Sequence, residues 1–268
     1  MIWRSVALLG LLAGAAAGWA QAPTPEQTGA ALEMSRNVAL AYARALPDFI
    51  CTQLVHRYVD VTHRHIDPND SGTWRALDTL TIKLSYFDQR EDHKVVLVDG
   101  KPSEKSYVDL GGATTVGEFG LILQQIFEPA SQAIFTWEKW ARVGNRRAAI
   151  YLYQVGASHS RYSLNFLASA GLTQARVGYH GMVEVDRETG DVRRLTYIAD
   201  TIPKTYPIYS ATTTVNYDFA DVGGKPYLLP ASSETEMLSL ELWARNHTEY
   251  REYRKFSADS TIRFGEGK

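Results

Sequence analysis

His63 and His65, with His56, Asp60 and Asp67 close by, are the densest group of possible metal ligands in the 268-residue chain. Side chains two residues apart on an extended strand project to the same side, and imidazole and carboxylate are ordinary zinc ligands. His56, His63 and His65 are therefore the candidate metal set. The same polar segment suits a solvated strand-to-loop transition, because no further ligand pair with zinc-site spacing accompanies it. Cys51 offers a second chemistry, since a thiolate beside a histidine is a nucleophile. Its neighbours Phe49, Ile50 and Leu54 favour the alternative, a small apolar residue buried at the start of a sheet. It is the only cysteine, so no internal disulfide can form. Ser158-His159-Ser160 supplies hydrolase-type residues without the Gly-x-Ser-x-Gly elbow that would present a nucleophile. Glu118 is read as a helix cap. With no Walker sequence and no dinucleotide fingerprint, no catalytic residue is assigned and no cofactor is expected.

Aromatic residues form the other notable sets. Phe135, Trp137 and Trp140 fall within six positions, and Tyr206 and Tyr209 lie beside Pro203 and Pro207. In a binding protein these five would line an apolar ligand cavity. In an ordinary sheet they would be core and face residues.

The elements that must position these residues begin with a leader. Residues 1–20 carry one positive charge at Arg4, an apolar run from Val6 to Ala17 and small residues before a cut after Ala20. A cut after Ala22 would place Pro23 beside the scissile bond, where its ring and missing N–H disfavour cleavage. The apolar run is about 12 residues, short of the roughly 20 that span a bilayer, so a signal peptide is expected rather than a stable membrane span. Neither cut exposes a cysteine for lipid attachment. The remainder, 21–268, is expected to be a single exported domain, periplasmic or secreted. The whole chain's 28 basic residues are balanced by 30 acidic ones, which argues against a nucleic-acid partner.

Thr24-Pro25-Glu26-Gln27 has the form of a capping box with proline at the first helical position, and apolar residues recur at helical spacing until Pro47. From Phe49 the period becomes two, as in Leu80, Ile82, Leu84 and Tyr86 alternating with Thr81, Lys83 and Ser85. Asp99-Gly100 predicts a hairpin turn with a return strand near Lys105 to Leu110. Thr115-Val116-Gly117-Glu118 predicts a second capping box, followed by helical spacing from Phe119 to Phe127. The rest, from Ile134 onward, reads as a β-meander. Strands outnumber helices, and each helix has one apolar face, so the expected fold is α+β: a large curved antiparallel sheet, or half-barrel, with helices packed on one face.

Ala45 to Gln53, Gly117 to Gly120, Gly181 to Asp186, Thr189 to Leu195 and Tyr227 to Pro230 together resemble a family of uncharacterised exported proteins abundant in Acidobacteria. The strand, turn and returning strand from Gly181 to Leu195 also resemble the sheet of outer-membrane lipoprotein carriers. That resemblance implies a half-open barrel wrapped around helices, holding acyl chains in its hollow. The function expected is non-enzymatic binding of an apolar or lipid-like ligand, or of an envelope protein partner. The alternatives are an exported hydrolase or metal-dependent enzyme using Cys51 or the histidines, and a structural or scaffolding module.

Overall fold

The computed structural model describes residues 23–60, 62, 74–106, 109–110, 118–168, 171–240 and 242–256. The expected leader at 1–20, His63, His65 and the Thr115 to Gly117 part of the second capping box lie outside the described residues.

Helix α1 (Pro25–Ala45) starts as its sequence dictates. The Thr24 N–H donates to Gln27 Oε1 at 3.1 Å and the Gln27 N–H donates to Thr24 Oγ1 at 3.3 Å, so the box closes in both directions. Ala31, Ala39 and Tyr42 form its buried face.

The strands are β1 (Phe49–Asp60), β2 (Arg75–Phe87), β3 (Arg90–Val98) and β4 (Lys101–Pro102), then β5 (Ile134–Val143) and β6 (Arg146–Val155). After them come β7 (Ser163–Ala168), β8 (Gly171–Arg176), β9 (Gly178–Asp186), β10 (Val192–Asp200), β11 (Ile208–Asp221), β12 (Pro226–Ser239) and β13 (Trp243–Lys255). Eleven of them make one curved, unclosed antiparallel sheet in the order β4-β3-β2-β1-β13-β12-β11-β10-β9-β6-β5, while β7 and β8 pair separately as a hairpin. The first and last long strands are neighbours, with His56 opposite His247. The fold class is the α+β half-barrel expected.

Two tyrosines tie α1 across the concave face. Tyr151 on β6 donates to the Thr28 carbonyl at 2.6 Å, and Tyr42 donates to the Leu228 carbonyl of β12 at 2.8 Å. Gly181 permits the close packing of β9 on β10, because a Cβ there would stand 1.9 Å from the Thr196 carbonyl oxygen.

Three local expectations change. Helix α2 (Leu121–Phe127) begins later than the second capping box implied, because Gly120 at its N-cap has φ of 115°, a left-handed conformation that breaks any helix arriving from before it. Glu118 is thus no cap: it precedes the helix and is 1% exposed. The return strand after Asp99-Gly100 is only Lys101–Pro102, since proline has no N–H to extend the ladder, and of the expected 105–110 run the described residues, 105–106 and 109–110, are not in a strand. The β-meander expected from Ile134 onward is interrupted, because β7 and β8 pair only with each other as a separate hairpin.

Candidate functional site

The concave face is where both helices meet the sheet. Its β5, β6, β9 and β10 side is apolar, contributing Ala149, Tyr151, Val183, Val185 and Leu195 to one core with Ile122, Leu123, Ile126 and Phe127 of α2. Phe127 stacks on Phe135 with ring centroids 5.2 Å apart. Arg36 of α1 donates to the Phe127 carbonyl at 2.7 Å, satisfying an acceptor at the end of α2.

The opposite side of the same face, on β11, β12, β13, β1 and β2, carries buried polar side chains. Arg57 and Asp78 form a two-pronged ion pair with both contacts at 2.6 Å, and Arg57 Nη1 donates to the Leu110 carbonyl at 3.3 Å. Thr213 meets Thr235 at 3.2 Å, and Ser233 meets the Tyr250 hydroxyl at 3.2 Å. Asn246 and Thr248 are buried in the same region.

Phe119 is set into this polar side. Its ring lies 5.2 Å from Phe49 and 5.6 Å from Tyr250, centroid to centroid. Beneath it, His93 Nδ1 is 3.1 Å from Gln53 Oε1 and His93 Nε2 is 3.3 Å from Glu91 Oε2. Both partners are oxygens, so an imidazolium with an N–H on each nitrogen satisfies both. Burial pushes the His93 pKa down, but hydrogen bonding to Glu91 and the charges of Glu91, Glu118 and Asp92 outweigh it, and the net direction is up. Cys51 is free and buried, and desolvation, helped by Glu91, raises its thiol to about 12. It is a neutral thiol at ordinary pH, not an activated nucleophile.

The candidate cavity residues divide. Phe135, Trp137 and Trp140 share the inner side of edge strand β5, packed against the apolar core, with the two indoles 5.4 Å apart. The Arg187 guanidinium sits 3.8 Å from the Trp140 ring centroid. The Trp137 indole N–H is buried with no hydrogen-bond partner among the described residues. Tyr206 is elsewhere: it is buried under the β7–β8 hairpin, donating to the Leu164 carbonyl at 2.8 Å. Tyr209, at the register shift between Ile208 and Ser210, is 51% exposed.

Of the candidate metal set, only His56 is described. It lies on the other face of β1 from Cys51 and Gln53, with Nδ1 3.2 Å from Thr79 Oγ1 and His247 opposite it. Among the described residues no group of three or more His, Cys, Asp or Glu side chains could hold a metal ion. Ser160 accepts a backbone bond from Tyr162 at 2.9 Å, and the exposed His159 lies in the turn before it. His93, Glu91, Gln53 and the Arg57–Asp78 pair were not singled out by residue type. Their signal was the alternation of β1, β2 and β3, in which polar residues occupy inward positions.

No family model matches the chain, and no curated protein matches it. Solved structures similar to it include a LolA superfamily protein from Nitrosomonas europaea, at 8% identity and TM-score 0.35, covering 86% of this chain and 94% of that one. A domain described as an outer membrane lipoprotein-sorting protein from Vibrio parahaemolyticus matches at 12% identity and TM-score 0.36, covering 86% and 94%. A DUF1329 family protein from Desulfovibrio piger matches at 8% identity and TM-score 0.39, covering 87% and 94%. With TM-scores of 0.39 and below, the architecture rests on this chain's own strand order and register. Among the described residues no helix is long and apolar enough to cross a membrane, which says nothing of spanning by strands.

Proposed function

We propose that this chain is an exported, non-enzymatic binding protein that holds an apolar, lipid-like ligand against the concave face of its sheet, entering along edge strand β5. The observation that carries the proposal is the aromatic set Phe135, Trp137 and Trp140, which lies on an edge strand and contains a sealed indole N–H without a partner among the described residues. A buried donor left unpaired costs about 1–3 kcal/mol, and an oxygen near the head of an acyl chain would supply the missing acceptor. The aromatic rings would take the hydrocarbon.

The leader pattern over residues 1–20 and the resemblance to exported Acidobacteria proteins support export, and the carrier resemblance supports a lipid ligand over a protein partner. Purification from the host envelope followed by mass spectrometry of extracted lipids tests the ligand. Co-purified lipid, or saturable uptake of a fluorescent fatty acid that Trp137→Phe weakens, is the expected result. Absence of both would overturn the proposal. N-terminal sequencing of the exported protein should begin at Gln21.

A further inference from the structure

We infer that His93, bridging Gln53 and Glu91, is a pH-sensitive latch that keeps the Phe119 turn and α2 seated on the concave face. The latch regulates the ligand site proposed above and rests on that reading for its purpose, though not for its mechanism.

The connection runs through one carboxylate. Glu91 Oε2 takes the His93 contact at 3.3 Å, while Glu91 Oε1 accepts from the Phe119 backbone N–H in a long 3.4 Å hydrogen bond. Tyr217 donates to the Glu118 carbonyl at 2.9 Å, so two successive residues of the turn are pinned to the sheet. Leu121 opens α2 directly after Gly120, so whatever loosens this turn frees the start of the helix. With only seven residues, α2 has little helical stability of its own and depends on its seating.

The groups facing His93 can be taken element by element. Glu91 and Asp92 come from β3 itself and Glu118 from the turn before α2, and all three favour its charged form. On β1, Gln53 is neutral and Cys51 is raised to about 12. On β2, Tyr86 is likewise raised to about 12, and the Lys83 ammonium lies on the other face, 3.7 Å from Glu252. Tyr42 of α1, Tyr217 of β11 and Tyr250 and Tyr253 of β13 are pushed well above the ordinary phenol value, chiefly by burial. The thiol and the phenols therefore keep their protons through the neutral and mildly alkaline range. His93 is the group among these whose charge changes there.

The sign follows from the upward shift. A histidine whose folded pKa stands above 6.5 contributes its full stabilisation below 6.5 and loses it as pH rises through the raised value. Once deprotonated, the ring keeps only one N–H and no charge, so its contact with Glu91 is no longer charge-assisted on both sides. Glu91 then loses its charged partner, and because its other oxygen holds the Phe119 N–H, the loss is passed to the turn that carries Phe119.

Hydrogen exchange on the full chain tests this, with protection of the peptide spanning 118–127 compared at about pH 6 and about pH 9 after correction for intrinsic exchange rates. Protection of α2 should fall about tenfold on going alkaline, roughly the loss of one net hydrogen bond at the turn. Peptides from β9 and β10 should not change. His93→Gln should leave α2 equally labile at both pH values. Should that variant fail to fold, an NMR titration of the wild-type His93 ring decides: the expected midpoint lies above 6.5 and coincides with the loss of α2 protection. A midpoint at or below 6.5, or α2 protection that ignores the titration, overturns the latch. Fatty-acid probe uptake separates the two proposals. Uptake with pH-independent α2 protection sinks the latch alone, whereas pH-dependent protection without any uptake sustains the latch and removes the ligand.

Discussion

The two sides of the concave face are built on the same antiparallel ladder and held by different forces. On the β5 to β10 side, rings and aliphatic side chains fill the space, and the polar atoms are mostly tyrosine hydroxyls spent on backbone carbonyls, as in Tyr151 to Thr28 and Tyr153 to Thr196. On the β11 to β3 side, charges and hydroxyls are buried with their partners, as in Arg57 with Asp78 and His93 with Glu91. Neutral packing is indifferent to pH, whereas a buried ion pair is only as durable as the protonation state of its members. The first side is therefore a permanent wall, and the second is the side that can change.

The largest expected effect comes from breaking the ion pair that anchors the polar side. Arg57→Met should destabilise the domain by about 4 kcal/mol in urea denaturation, because it strands the Asp78 carboxylate in a buried site. The double variant Arg57→Met with Asp78→Leu should recover much of that loss. Recovery of nothing would mean that the pair acts through its bond to the Leu110 carbonyl instead. Next in size, on the apolar side, Gly181→Ala should destabilise by about 3 kcal/mol, since its Cβ must displace the Thr196 carbonyl. An unchanged midpoint would show that β9 and β10 are free to separate there.

His93→Gln should lower stability by about 2 kcal/mol at pH 6, the worth of a hydrogen bond to a charged group. Its difference from wild type should close as pH rises, because the folded histidine has its pKa raised and loses its proton last. Tyr153→Phe should cost only about 1 kcal/mol, by removing the bond to the Thr196 carbonyl. That loss should be equal at pH 6 and pH 9, since burial pushes the Tyr153 phenol well above its ordinary value. If the Tyr153 loss varied with pH and the His93 loss did not, the contrast between the two sides would collapse.

Much of this architecture was legible because it is local. Thr24, Pro25 and Gln27 are adjacent along the chain and close their box without help from the rest of the protein. The alternation of Leu80, Ile82, Leu84 and Tyr86 identifies an inward face of β2 wherever that strand packs. The start of α2 was misread because Thr115 to Glu118 has the residues of a capping box, while the decisive feature is the left-handed backbone at Gly120. Tyr206 and Tyr209 were grouped by proximity in sequence, but Tyr206 turns under the β7–β8 hairpin and Tyr209 faces out.

The candidate site was legible only in part, for the same reason. Phe135 and Trp137 share a side by strand periodicity, whereas Trp140 joins them only through the bulge between Trp137 and Lys139, which the structure shows. The division into helix and sheet likewise follows from period alone. His93, Gln53 and Phe119, by contrast, are dozens of residues apart and come together only when β1, β2 and β3 pair in their particular register beneath the turn before α2. Short-range patterns determine what each segment becomes, because capping and alternation are satisfied within a few residues. Which charges share a buried space depends on strand pairing, and strand pairing is a property of the assembled sheet.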